Sequence, residues 1–145
     1  MRLDQEWIAR QIPHHGSMCL LNEVLQWDEQ SIHCRSVSHR SSQNPLRAYG
    51  RLAAVCGVEY AAQSMAIHGA LLNGAASPPG YLASVRGLRL HTHRLDDIAD
   101  ELLIVSQYLS GDAMTIIYAF KVSAPGFLLL EGRATVILNP AAFST

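Results

Sequence analysis

The residues best suited to chemistry lie in an apolar stretch where polar groups are scarce. Between Leu52 and Leu72, Glu59 is the only carboxylate, set among alanines, valines and leucines. An ionised carboxylate in such company is costly unless it is paired or turned to a pocket. Gln63 stands four residues further on, on the same helical face and within reach of the Glu59 carboxyl. Two readings are open. The pair plugs a gap in the core, or Glu59 pairs with an arginine. Alternatively, because burial favours the neutral form of a carboxyl, Glu59 serves as a general acid or base.

The seven histidines divide by their surroundings. His14 and His15 follow Ile12-Pro13 and precede Gly16, a rigid turn that can aim one imidazole inward. His33 falls in a strand-like run and His39 at its end. His68, near the end of the helical stretch, reads as a dipole or cap contact. His91 and His93 stand two apart, on one face of a strand, but no third ligand completes a metal site. Cys19, Cys34 and Cys56 form no CxxC pair, so buried free thiols are expected rather than a disulfide framework or a zinc ribbon.

The elements that must position these groups follow from pattern. Residues 3–11 suit a short amphipathic helix with Leu3, Trp7 and Ile8 on one side. Strand-like runs cover Ser17 to Trp27 and Ser31 to Ser38, and a loop with Pro45 and Gly50 spans Ser41 to Arg51. Residues 51–73 mix alanine with Leu, Val, Ile and Met, a helical composition that is apolar around nearly its whole circumference. Such a helix is expected to be buried all round. Four more strands follow: Gly80 to His91, Glu101 to Ser110, Ala113 to Ala124 and Phe127 to Leu138. The short turns at Gly111-Asp112 and Pro125-Gly126 predict antiparallel neighbours. Met114, Ile116, Tyr118, Phe120 and Val122 share a face, and Glu131, Arg133 and Thr135 make the wetter side of the last strand. One antiparallel sheet curled around one long helix, an α+β fold in a single domain over 1–145, fits this order best. A parallel α/β sheet lacks the helices between its strands, and a β-barrel leaves the long helix unexplained.

Composition narrows the partners. A net charge of −1 gives no bulk field to draw nucleic acid. Ten arginines stand against one lysine, Lys121, and arginine suits phosphate and carboxylate. With 49% hydrophobic and 16% charged residues, part of the surface is expected to be buried against another subunit. No apolar run is long enough to span a bilayer and residues 1–11 hold no signal core, so a cytoplasmic protein is expected.

The run Ile12-Pro13-His14-His15-Gly16-Ser17-Met18-Cys19-Leu20-Leu21 resembles the opening of the 3-hydroxyacyl-[acyl-carrier-protein] dehydratases. The helix segment Gly57 to Ala66 is similar to theirs, and the run Asn44-Pro45-Leu46-Arg47 to Gly50-Arg51-Leu52 more specifically resembles the branch found in aryl-polyene and related polyketide-like pathways; Leu95-Asp96-Asp97 and the closing strands complete the likeness. The likeness covers roughly residues 12–138 and implies a hotdog fold. It also implies removal of water from a 3-hydroxyacyl thioester. Glu59 then occupies the position of the helix carboxylate, with Gln63 as the helix glutamine, and the backbone N–H groups near Ala54 and Val55 hold the thioester carbonyl.

The family's loop histidine does not carry over: Asn44 and Pro45 stand at its place, and no histidine occurs between Arg40 and Tyr60. Asparagine accepts no proton at neutral pH, so Asn44 is limited to orienting water or a carbonyl. His14 or His15, and next His39, are the alternative bases. Thioester hydrolysis by Glu59 and water, or a non-catalytic subunit beside an active homologue, remain the other readings. The resemblance further implies a homodimer or a heterodimer with another hotdog chain. It calls for no metal or organic cofactor. The substrate would arrive on the phosphopantetheine of an acyl carrier protein, met by Arg47 and Arg51.

Overall fold

A computed structural model describes residues 2–12, 16–74 and 80–138. Helix α1 (Gln5–Gln11) is capped by Asp4, whose carboxylate accepts the Trp7 N–H at 3.0 Å, and it buries Ile8 in the core. A 3-10 turn at Gly16–Met18 leads through buried Cys19, Leu20 and Leu21 to β1 (Glu23–Trp27). The strand expected from Ser17 starts six residues later, because Leu20 gives its N–H to a helix side chain rather than to a neighbouring strand. There follow β2 (Ser31–Ser36), a 3-10 turn at Ala54–Cys56 and the long helix α2 (Gly57–Asn73). Strands β3 (Gly80–Leu90), β4 (Leu102–Gly111), β5 (Thr115–Ala124) and β6 (Phe127–Leu138) complete the chain.

The six strands form one antiparallel sheet in the order β1-β2-β4-β5-β6-β3. The β4–β5 and β5–β6 hairpins are the neighbours that the short turns predict. The first is closed by the Asp112 carboxylate, which accepts the N–H groups of Met114 and Thr115 at 2.8 and 2.9 Å. Helix α2 packs on β2, β4 and β5, and Tyr118, Phe120 and Val122 line its bed. At Gly57 helix and sheet nearly touch: a Cβ there would stand 2.6 Å from Leu130. This is a long helix wrapped by a curved sheet, the hotdog architecture.

Three expectations need correction. The helix is not buried all round: Tyr60, Ala61, Ser64 and His68 are buried, but Val58, Ala62, Ala66 and Gly69 are only partly covered and Leu72 is exposed. One curled sheet covers one side of a rod, and the other side awaits something else. His68 is no cap contact. Its ring is fully buried, with Nε2 2.7 Å from the Asp28 carbonyl and Nδ1 2.8 Å from the Tyr118 hydroxyl. A carbonyl only accepts, so Nε2 carries the proton and Nδ1 accepts from Tyr118. Finally, β3 ends at Leu90, so His91 and His93 lie beyond the strand rather than on its face.

Candidate active site

The start of α2 is fixed by a chain segment far away in sequence. Leu95 N–H donates to the Leu52 carbonyl at 2.8 Å, Leu52 N–H to Asp96 Oδ1 at 2.9 Å, and Ala54 N–H to the His93 carbonyl at 3.0 Å. Arg94 clasps the Asp96 carboxylate and holds it well below the usual carboxylate range. Asp96 therefore stays ionised and keeps its grip on Leu52. This stitch brings Leu90–His93 against Ala53–Val55, and between them opens a cavity of about 530 Å³. Of the two predicted donors, Ala54 N–H is taken by His93. Val55 N–H meets no acceptor among the described residues, and Val55 is 49% exposed at the cavity. The donor that remains for a ligand oxygen is Val55 N–H.

Glu59 follows one turn further along α2, partly buried. Gln63, at 1% exposure, fixes it: Nε2 donates to Glu59 Oε1 at 3.2 Å and to the Met18 carbonyl at 2.8 Å, while Oε1 accepts Leu20 N–H at 3.0 Å. Because Met18 O only accepts and Leu20 N only donates, the amide can sit one way round. The expected Glu59–Gln63 pair is present. What the sequence did not reveal is that it is locked to the segment running into β1.

Asn44 is buried and fully engaged. Its amide nitrogen donates to the Ser38 carbonyl at 3.0 Å and to the Tyr60 hydroxyl at 2.9 Å, and its carbonyl accepts Leu46 N–H at 2.9 Å. From Tyr60 a directed chain runs on through Ser38 Oγ (2.8 Å) to the Leu20 carbonyl (2.7 Å). Glu59, Gln63 and Asn44 are thus joined through Leu20 and Tyr60. Burial pushes the Tyr60 phenol up, so it stays a neutral relay.

Arg47 gives its guanidinium to the carbonyls of Ser41 (2.8 Å), His39 (3.2 Å) and Gly50 (3.4 Å), and so holds residues 39–50 in a closed loop. Arg51 is exposed. The base candidate His14, with His15, lies outside the described residues. His39 is fully buried: Nε2 donates to the Ile98 carbonyl at 3.0 Å, Nδ1 finds no hydrogen-bond partner among the described residues, and burial lowers its pKa. His91, which the sequence marked only for a metal, lines the cavity with Nε2 3.0 Å from Glu131 Oε2. Among the described residues no three His, Cys, Asp or Glu side chains cluster to hold a metal. No helix among them is long and apolar enough to cross a membrane.

A long helix on an antiparallel sheet, with the Glu59–Gln63 pair in its first turns and a cavity lined at its start by Ala53, Ala54 and Val55, is the architecture of the hotdog proteins. The family model described as ApeP-like, ApeP dehydratase, matches residues 7–144, and the chain belongs to this dehydratase family. Among solved structures, the dehydratase heterocomplex ApeI:P from Xenorhabdus doucetiae is similar, at 23% identity and a TM-score of 0.80, over 93% of this chain and 92% of that one. A zebra fish thioesterase superfamily member 2 is 15% identical with a TM-score of 0.65, over 93% of each chain. A mutant of thioesterase PA1618 from Pseudomonas aeruginosa is 14% identical with a TM-score of 0.61, over 81% of each chain. These likenesses carry the fold. No curated protein matches the chain in sequence.

Proposed function

We propose that the chain removes water from a carrier-borne 3-hydroxyacyl thioester, as one subunit of a pair of hotdog chains. The observation that carries this is the Glu59 carboxyl held by Gln63, one turn beyond the open Val55 N–H. A thioester carbonyl that accepts from Val55 N–H is polarised, and the hydrogens on the adjacent carbon become acidic. A histidine takes one of them, and His14, which lies outside the described residues, is the candidate from the sequence. As the carbon–carbon double bond forms, the C3–O bond breaks and Glu59 in its acid form protonates the leaving hydroxyl. Gln63 donates to Oε1, which puts the transferable proton on Oε2. The histidine's proton then returns to Glu59, so one water leaves and the enzyme is unchanged. The step needs no resident metal or organic cofactor.

Membership of a dehydratase family and the likeness to one chain of a dehydratase heterocomplex support this reading. So does the exposed edge strand β3 beside the cavity, where a second hotdog chain would close the site. The substrate would come on the phosphopantetheine of an acyl carrier protein. Arg51, exposed two residues before the cavity wall at Ala53, is better placed to meet it than Arg47, whose guanidinium is spent on its own loop. The test offers a 3-hydroxyacyl thioester to the chain with its hotdog partner and follows the enoyl product. Glu59→Gln should slow it by about 10²-fold or more. Equal rates for the two proteins would end the proposal. Free thiol in place of enoyl product would instead support hydrolysis, the activity named for the thioesterases of the same fold.

A further inference from the structure

One residue outside the site breaks a local rule with nothing in the chain to offset it. Tyr49 has a φ of +54°, and among the described residues no other non-glycine residue lies in the left-handed region. A bulky side chain crowds its own backbone there. Such strain persists where the surroundings enforce it, yet Tyr49 is 103% exposed and its side chain packs on nothing.

Tyr49 and Gly50, whose φ is +75°, make a two-residue turn. Ala48 and Arg51 close it: Ala48 N–H donates to the Arg51 carbonyl at 2.8 Å, and Arg51 N–H to the Ala48 carbonyl at 3.0 Å. Two positive φ values in succession mark a type I′ turn, whose favoured pair is Asn-Gly. Asparagine would therefore suit position 49 better than tyrosine does. What tyrosine adds is a large, rigid, amphipathic surface that loses little side-chain freedom when another molecule covers it.

Position and charge say which molecule that is. The chain leaving the turn runs from Arg51 through Leu52 to Ala53, the wall of the cavity at Val55. From Gln30 to Val58 there is no Asp or Glu. Arg51 is exposed and makes no ion pair among the described residues. Arg47 gives its guanidinium to neutral carbonyls, which leave its charge uncompensated. The carboxylates that the stitch brings to Leu52, Asp96 and Asp97, are taken by Arg94. An aromatic ring in a positive setting beside the cavity suits an acidic protein that delivers its cargo there.

We propose that the Tyr49-Gly50 turn is the docking tip for the acidic carrier protein, with Tyr49 as its anchor and Arg51 as its charge contact. This rests on the reading of the substrate as carrier-borne, and names the residues that hold the carrier. Calorimetry would measure the binding of holo-acyl carrier protein to the chain with its hotdog partner, comparing the wild type, Tyr49→Asn and Arg51→Glu. Both substitutions should raise Kd by about tenfold or more. Added salt should weaken the wild type and affect Arg51→Glu less. Because Asn-Gly favours the turn, the thermal midpoint of Tyr49→Asn should equal or exceed that of the wild type. In turnover, Tyr49→Asn should raise KM for the carrier-borne substrate and spare kcat.

A wild type that does not bind the carrier, or a Tyr49→Asn variant that binds it as tightly, would overturn the proposal. So would a lower midpoint for Tyr49→Asn, since tyrosine would then serve the chain's own fold. If Tyr49→Asn weakens assembly with the hotdog partner and leaves carrier binding intact, the tip belongs to that contact and the proposal falls. Calorimetry reads binding without turnover. A carrier held through Tyr49 but never dehydrated would sink the proposed function and leave this inference standing.

Discussion

At the scale of single residues, the polar side chains separate by how many of their hydrogen-bonding atoms are already spent. Asn44 stands where the resemblance would put a base, yet its side-chain hydrogen bonds tie its own loop to Tyr60. Asn44→Ala should cost about 1–3 kcal/mol in denaturant unfolding, since it removes the acceptor of the Leu46 N–H and one of the two side-chain partners of the buried Tyr60 hydroxyl. A variant as stable as the wild type but slow in turnover would return Asn44 to the reacting atoms. His39 and His68 give a second expectation. Burial holds both below their ordinary value near 6.5, so in the folded protein they stay neutral while the unfolded chain takes up protons. Their contribution to stability is therefore complete above pH 6.5 and drains away as pH falls below it. The urea midpoint should drop on acidification through that window, and His68→Gln should flatten the slope. A midpoint that rises towards acid would contradict the assignment.

At the scale of elements, the decisive contact is between the first turn of α2 and β6. Gly57 allows the helix to lie on Leu130, and the stitch from Leu52 to Asp96 sets where that helix begins. Gly57→Ala gains some helix propensity but drives a methyl group into a fully buried leucine. The net loss should be about 1 kcal/mol. A double-mutant cycle with Leu130→Ala should show favourable coupling, because the smaller residue vacates that space. If the two effects simply add, the close approach is not what glycine is for.

The periodicity of these elements was legible in the sequence. The alternation in β5 and the polar side of β6 fall where they were expected, as does the helix within 51–73. The bed of the helix was not legible. Covering one side of a rod or all of it leaves the same apolar pattern, and only the number of layers distinguishes them.

At the scale of the whole molecule, the partly covered helix stripe, the edge strand β3 and the cavity at Val55 are the surfaces that the proposed second chain would cover. Leu90 is 47% exposed, so Leu90→Asp should change the unfolding free energy of the isolated chain by no more than about 0.5 kcal/mol. The same change should weaken pairing with a hotdog partner by about tenfold or more, read by sedimentation, because it buries a charge at the interface. Loss of stability without loss of pairing would place Leu90 in the core of the single chain.

Taken by itself, the sequence determined what depends on neighbours along the chain: the order of helix and strands, the hairpin turns, and a lone carboxylate with a glutamine one turn away. The tertiary structure decided what depends on residues brought from afar. Gln63 meets Met18 and Leu20 from more than 40 positions away, His68 meets Asp28 and Tyr118, and Asp96 reaches Leu52. It also turned Arg47 inward to its own loop and set Arg86 opposite Arg133. Hydrogen bonds and charge pairs across a sheet follow register and layer packing. These arise from the simultaneous burial of every apolar face, and no local stretch of sequence encodes them.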